Sequence, residues 1–270
     1  MTLPTLDVII HKYLRVPYPL HVTKFRSPKR PRATIVLIHG IGNSAQAWSD
    51  IADLLPKDVR IIGVDLLGFG KSPKPQWAEY SASTQAKSLG VTLLKLGLNQ
   101  KITLVGHSLG SLVAVETAKR YSPIVKQLIL CSPPFYRPNN KDSLTYEKIL
   151  RSIYRTARKH PKELIALSPV AVKLGIANKS MSINDENVDA YMAALTASII
   201  NQTSLHDVAN LKVPVRIIYG SLDPVVIGRH IDRLSKEYSN ISSRKILAAH
   251  EISGRYTQVI AKELIKSLNP

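Results

Sequence analysis

From residue 33 onward, short and nearly continuous apolar runs alternate with longer stretches whose apolar residues recur every three or four positions. The short runs, 33–38 (ATIVLI), 59–64 (VRIIGV), 101–106 (KITLVG), 124–130 (IVKQLIL), 213–219 (VPVRIIY) and 243–248 (SRKILA), predict strands. Two earlier runs, 5–12 (TLDVIIHK) and 20–25 (LHVTKF), flank Pro17 and Pro19 and predict an antiparallel pair. Five of the six residues of ATIVLI are apolar, which suits a strand buried on both faces. Strands separated by helix-length segments predict an α/β fold. Its sheet is mostly parallel and eight-stranded, with helices on both faces.

The rhythm breaks once. Between Ser132 and Leu211 no strand-like run appears, but helical patterns do. In 144–160, Tyr146, Ile149, Leu150, Ile153, Tyr154 and Ala157 recur at helical spacing, with Lys148, Arg151, Arg155, Arg158 and Lys159 opposite them. A second helix is predicted over 185–200, which opens on acidic residues. Residues 134–210 therefore read as a helical insertion entered through the Pro-rich SPPFYRP. The core domain is then 1–133 together with 211–270.

Composition narrows the class. At 270 residues and 44% hydrophobic, the chain can bury a core, which excludes wholesale disorder. No apolar run approaches the ~18 residues of a membrane span. MTLPTLDVIIHKYLR lacks a basic start followed by a long apolar stretch, so no secretory signal is expected and a cytoplasmic address is the default. The single cysteine, Cys131, excludes an intrachain disulfide and any multi-cysteine zinc site, and neither a metal nor a cofactor is expected.

The strongest chemical signal is Gly106-His107-Ser108-Leu109-Gly110, between the apolar strand KITLV and the helical pattern LVAVETAKRY. Strand, tight turn and helix together form the context of a nucleophile elbow. Flanking glycines let strand and helix approach, and the turn lifts the Ser108 hydroxyl above the sheet. A serine hydroxyl needs a base. Of eight histidines, only His230 and His250 follow the last strand-ending Asp. His230 falls inside a predicted helix, 225–238, where a surface position is expected. His250 falls in a loop after the last strand, so it is the candidate base. Asp223, which ends a predicted strand within IIYGSLDPVV, is the candidate acid, although an Asp there is also a common helix cap. The loop after 33–38, His39-Gly40-Ile41-Gly42-Asn43-Ser44, can turn the Ile41 amide into the site. With the Leu109 amide it would make a two-donor oxyanion hole. His39 reads as a structural residue of that loop.

With these motifs in place, the chain resembles the α/β-hydrolase superfamily. The resemblance rests on HGIGNS (39–44), DLLGFGKS (65–72), GHSLGS (106–111), YGSLDPVV (219–226) and AHEIS (249–253), and covers nearly everything outside 134–210. It implies that the insertion is a helical cap over the active site and that Asp65 is structural. Ala249 and Ser111 depart from the glycines usual there, but both are small. Serine at 108 argues against the branches that use an Asp nucleophile. Gly42-Asn43-Ser44 and His107 argue against the carbon–carbon bond hydrolases.

The reading is a serine hydrolase of carboxylic esters, lactones or thioesters that works through an acyl-enzyme with Ser108, His250 and Asp223. Its partner is a small-molecule ester. A ligand receptor on a hydrolase scaffold and a carbon–carbon bond hydrolase stay open as alternatives. The net charge of +18 raises a third, binding of an acidic partner. Lys24, Arg26, Lys29, Arg30 and Arg32 cluster without an acid, and 137–179 holds ten Lys/Arg against three Asp/Glu. No nucleic-acid-binding motif accompanies these residues, so no specific nucleic acid is expected. The sequence does not give the oligomeric state.

Overall fold

The computed structural model describes residues 5–98, 100–137, 159–173, 181 and 183–268. Seven strands form one sheet: β1 (Val22–Arg26), β2 (Ala33–Ile38), β3 (Val59–Val64), β4 (Ile102–His107), β5 (Val125–Cys131), β6 (Val215–Gly220) and β7 (Ile241–Ile246). Their spatial order is β1-β3-β2-β4-β5-β6-β7. All pairings are parallel except β1 against β3, where Val22 faces Val64.

The alternation of side chains along β2 builds two cores. Val36 and Ile38 face one way, into a cluster with Leu104, Leu89, Leu112 and Ile231. Ile35 and Leu37 face the other way, against Trp48, Ile51, Tyr256 and Ile260. Helices α2 (Ala82–Lys95), α3 (Leu109–Arg120) and α7 (Gly228–Glu237) therefore cover the first face, and α1 (Ser49–Leu54) and α8 (Arg255–Leu268) the second.

The eighth strand expected over 5–12 is not a strand. Leu6–Val8 is α-helical and runs into a π-helical turn, Ile9–Tyr13. Two local reasons account for this. The Thr5 hydroxyl accepts the Val8 amide and caps the turn, and the place beside β3 is taken by β1. The antiparallel pair is accordingly β1 with β3, not 5–12 with 20–25.

Between β5 and β6 the described residues are helical or irregular. They include α4 (Pro161–Lys173), α5 (Val188–Ala194), which continues as a π-helical stretch Leu195–Ile200, and α6 (Ser204–Ala209). The helix expected over 185–200 is present as α5 and its continuation. The helix expected over 144–160 and its basic face lie outside the described residues, except for positions 159 and 160. Of this segment, α5 and its continuation lie on the carboxyl edge of the sheet, while α6 packs on the last turn of α3 through Lys119 and Asp207. A Cβ at Gly68, after β3, would come within 2.7 Å of Ala190 Cβ, and the Ser198 hydroxyl donates to the Tyr80 carbonyl at 2.9 Å.

Candidate active site

Parallel strands expose their carboxyl ends along one edge, and loops there can carry chemistry from distant parts of the chain. β4 ends at His107, and Ser108 turns the chain into α3 with φ 50° and ψ −117°. A residue with a Cβ holds that conformation only at a cost. The turn is tight enough to need both flanking glycines. A Cβ at Gly106 would meet the Gly110 carbonyl oxygen at 2.3 Å, and one at Gly110 would meet the Ile38 carbonyl oxygen at 2.2 Å. Ser111, where a glycine was the expectation from resemblance, donates its hydroxyl to the Gly106 carbonyl at 2.8 Å and ties helix to strand.

His250 follows β7 and brings its Nε2 to 3.0 Å from Ser108 Oγ. Its Nδ1 lies 2.8 Å from Asp223 Oδ2. A carboxylate only accepts, so Nδ1 carries the proton and Nε2 offers a lone pair to the serine hydroxyl. Asp223 uses both of its oxygens. While Oδ2 faces His250, Oδ1 accepts the Val225 amide at 2.8 Å and the Val226 amide at 3.3 Å. Asp223 is not a helix cap: α7 starts at Gly228 with Ile227 at its N-cap and no side-chain cap bond, so Oδ1 closes the turn after β6 while Oδ2 faces His250.

The charges are mutually supported. Burial works against ionised Asp223, but hydrogen bonds from His250, the Val225 amide and the Ser132 hydroxyl hold it below the usual carboxylate range. Burial also disfavours the His250 imidazolium, yet the Asp223 carboxylate outweighs it and raises the pKa above the ordinary histidine value.

Around these three groups stand residues that the sequence reading passed over. Ser132 follows β5 in a left-handed conformation, φ 49°, with its Oγ 3.1 Å from the Tyr256 hydroxyl. Tyr256 in turn donates to the Ile218 carbonyl at 2.7 Å. The end of β5 lacks a carboxylate, but it sets a hydroxyl beside the Asp223 carboxylate, whose single hydrogen either Asp223 or Tyr256 can accept. A small polar residue after an apolar strand was the signal available. His107 is the second. Its Nε2 donates to the His250 carbonyl at 3.0 Å. Burial, with the His250 charge, pushes its pKa down to about 3, so it stays neutral.

The remaining predicted residues fall as follows. Leu109 opens α3, so its amide belongs to the helix start, where no intrahelical carbonyl is available. Ile41 sits in the turn after β2, whose Gly40 places a notional Cβ 3.3 Å from Ser108 Cβ. His39 spans that turn: Nδ1 donates to the Gly40 carbonyl at 2.7 Å and Nε2 accepts the Leu66 amide at 2.9 Å. Asp65 accepts the Ala45 amide at 2.7 Å and the Lys71 amide at 2.8 Å, a structural role. His230 is not a surface residue. It is buried in α7 with Nδ1 2.8 Å from the Phe135 carbonyl, apart from the Ser108 line. Among the described residues no cluster of three metal-binding side chains occurs.

Comparisons with known proteins follow the same outline. The family model described as the alpha/beta hydrolase fold matches residues 33–251. A probable lysophospholipase of Arabidopsis thaliana, BODYGUARD 4, is 30% identical over 127 residues, which cover 46% of this chain and 30% of that protein. The chain thus spans less than a third of the length of the curated relatives it matches. An esterase from Exiguobacterium antarcticum superposes with a TM-score of 0.76 at 18% identity, over 93% of this chain and 96% of that one. A thermophilic esterase from Thermogutta terrifontis superposes with a TM-score of 0.71 at 22% identity, over 93% and 94%.

Proposed function

The chain belongs to the alpha/beta hydrolase fold family, and from that premise we propose that it is a serine hydrolase of carboxylic esters. The observation that carries this reading is the line from Ser108 Oγ through His250 to Asp223, at 3.0 and 2.8 Å, on a strained strand-to-helix turn. Strain at a buried polar residue persists only where the surroundings enforce it, and here it aims a hydroxyl at a base.

In this reading the Ser108 oxygen attacks the ester carbonyl while its proton passes to His250 Nε2. The Ile41 and Leu109 amides receive the developing oxyanion. The carbon–oxygen bond to the alcohol breaks, and His250 returns the proton to the leaving alkoxide. Water then gives a proton to His250 and its oxygen adds to the acyl carbonyl; the bond to Ser108 Oγ breaks, His250 returns the proton to Ser108, and the acid is released. Asp223 stays ionised, fixes the Nδ1–H tautomer and stabilises the imidazolium. Residues 1–133 and 211–270 act as the catalytic core, and 134–210 as a cap that shapes the substrate pocket. The position of α5 beside the loops after β2 and β3 supports that role.

The acyl and alcohol parts remain for a substrate panel. Short-chain esters, lactones and thioesters form its first arm. The BODYGUARD relatives, probable lysophospholipases, add a lysophospholipid as the second. The deciding experiment is labelling with a fluorophosphonate, run beside ester turnover. Wild type is expected to take the label and Ser108→Ala to lose both label and turnover. Equal labelling of the Ala variant would remove Ser108 from its role, and label without turnover of any ester would favour a receptor.

A further inference from the structure

β1 runs antiparallel to β3, with Val22 opposite Val64. The chain that leads into β1 must therefore lie at the carboxyl end of β3, along the edge that also carries Ser108. Residues 6–16 occupy that place as a short helical segment, moored inward by Tyr18. The Tyr18 hydroxyl donates to Asp7 at 2.5 Å, its ring stacks on His11 with centroids 3.6 Å apart, and Trp77 lies beside it at 6.0 Å.

What this segment shows to solvent is unusual for the molecule. Leu6, Ile9, Tyr13, Leu14 and Val16 are all exposed, Leu6 at 71%, Leu14 at 67% and Tyr13 at 63%. Among the described residues only six other large apolar side chains are exposed, scattered from Leu54 to Leu247. Single exposed apolar residues need no explanation, but a contiguous group does. Lys12 and Arg15 stand within the same stretch, both exposed, and Lys87 lines the shallow cleft behind it. Among the described residues, the acids that the segment and the cleft carry are Asp7, engaged by Tyr18, and Glu79.

We propose that residues 6–16 form an interfacial docking element for a lipid bilayer bearing anionic headgroups. Exposed leucines and a tyrosine enter the headgroup–acyl boundary, and Lys12 and Arg15 meet the lipid phosphates, as in helices that lie on membranes. The net charge of +18 adds attraction at longer range. No helix among the described residues is long and apolar enough to cross a bilayer; the docking proposed here is interfacial. Docked this way, the carboxyl edge of the sheet turns toward the lipid. The inference concerns binding alone and stands apart from the reading of Ser108.

The test is co-sedimentation of the full chain with vesicles of phosphatidylcholine alone or mixed with phosphatidylglycerol, at low and high salt. Binding is expected for the mixed vesicles and weaker at high salt. L6S/Y13S/L14S keeps the net charge and alters only exposed side chains; it is expected to weaken partitioning at least tenfold. K12E/R15E is expected to weaken it about twentyfold or more, since each basic residue near an anionic surface contributes roughly fivefold. Binding by L6S/Y13S/L14S equal to wild type would mean that net charge alone acts, and would overturn the proposal. So would failure of wild type to bind mixed vesicles, or a wild-type dimer in solution that L6S/Y13S/L14S dissociates. Loss of ester turnover in Ser108→Ala with vesicle binding intact is the expected separation of the two readings.

Discussion

The backbone at Ser108 stores strain, and its size can be measured. With φ 50° and ψ −117°, the residue sits where L side chains rarely go, at a cost of about 1–3 kcal/mol. Ser108→Ala removes the hydroxyl but keeps a Cβ, so the strain stays. Ser108→Gly removes both. Each variant loses the same hydrogen bond to His250, so that loss cancels between them. What remains is relief of about 1–3 kcal/mol, less the roughly 0.5–1 kcal/mol of extra chain entropy that glycine gives up on folding. The glycine variant should therefore be the more stable by about 1 kcal/mol, or about 2 °C in melting temperature for a chain of this size. The sign is the diagnostic. The same exchange at Ala118, inside α3, should destabilise by about 1 kcal/mol or more. Chemical denaturation of the three variants, read by the intrinsic tryptophans, gives the comparison. If Ser108→Ala matched or exceeded Ser108→Gly, the strain argument would be wrong, and with it the idea that the turn is held in place by its surroundings.

Other outcomes follow from the same geometry. Turnover should rise with pH through an apparent pKa above the ordinary histidine value of ~6.5, because Asp223 raises that of His250; Asp223→Asn should lower this midpoint and cut kcat by roughly 10³–10⁴-fold with KM little changed. The paired charges should stabilise the fold most between about pH 4 and 6.5. Below that window the depressed Asp223 carboxylate takes up its proton, and above it the contribution of raised His250 is lost, which a denaturation series across pH would show as a maximum removed in Asp223→Asn. Ser132→Ala should cost about tenfold in kcat, since it deprives a carboxylate of a hydrogen bond, and Ser132→Thr should recover part of it; an unchanged pH midpoint in Ser132→Ala would mean that Ser132 does not act through Asp223. His107→Leu should lower kcat by a similar factor, because the His250 carbonyl loses its donor, while His107→Gln keeps more activity.

Much of this was legible in advance, for identifiable reasons. Buried parallel strands must be apolar throughout, so β2 through β6 stand out as runs. The elbow needs two glycines at fixed spacing, so Ser108 announces itself. The stretch 5–12 misled because a short apolar run fits strand and helix equally, and a hydroxyl cap at Thr5 decided between them. His230 misled in a different way. A histidine on a helix reads as polar, yet the Phe135 carbonyl gave it a partner inside. Ser132, His107 and Tyr256 act through contacts between loops far apart in the chain, and no local pattern encodes them.

That separation has a kinetic consequence. Asp223 and His250 lie 27 residues apart and can meet once β6, α7 and β7 associate. Ser108 lies 142 residues from His250 and joins them only when β5 and β6 pair, Leu128 against Val215. Closing so long a loop costs entropy before any contact repays it, and such pairings form late. On dilution from denaturant, helical signal should return well before reactivity toward a fluorophosphonate. In the interval the flanks of β5 and β6 would be open to other chains, and slow refolding at high concentration should favour clumping over recovery.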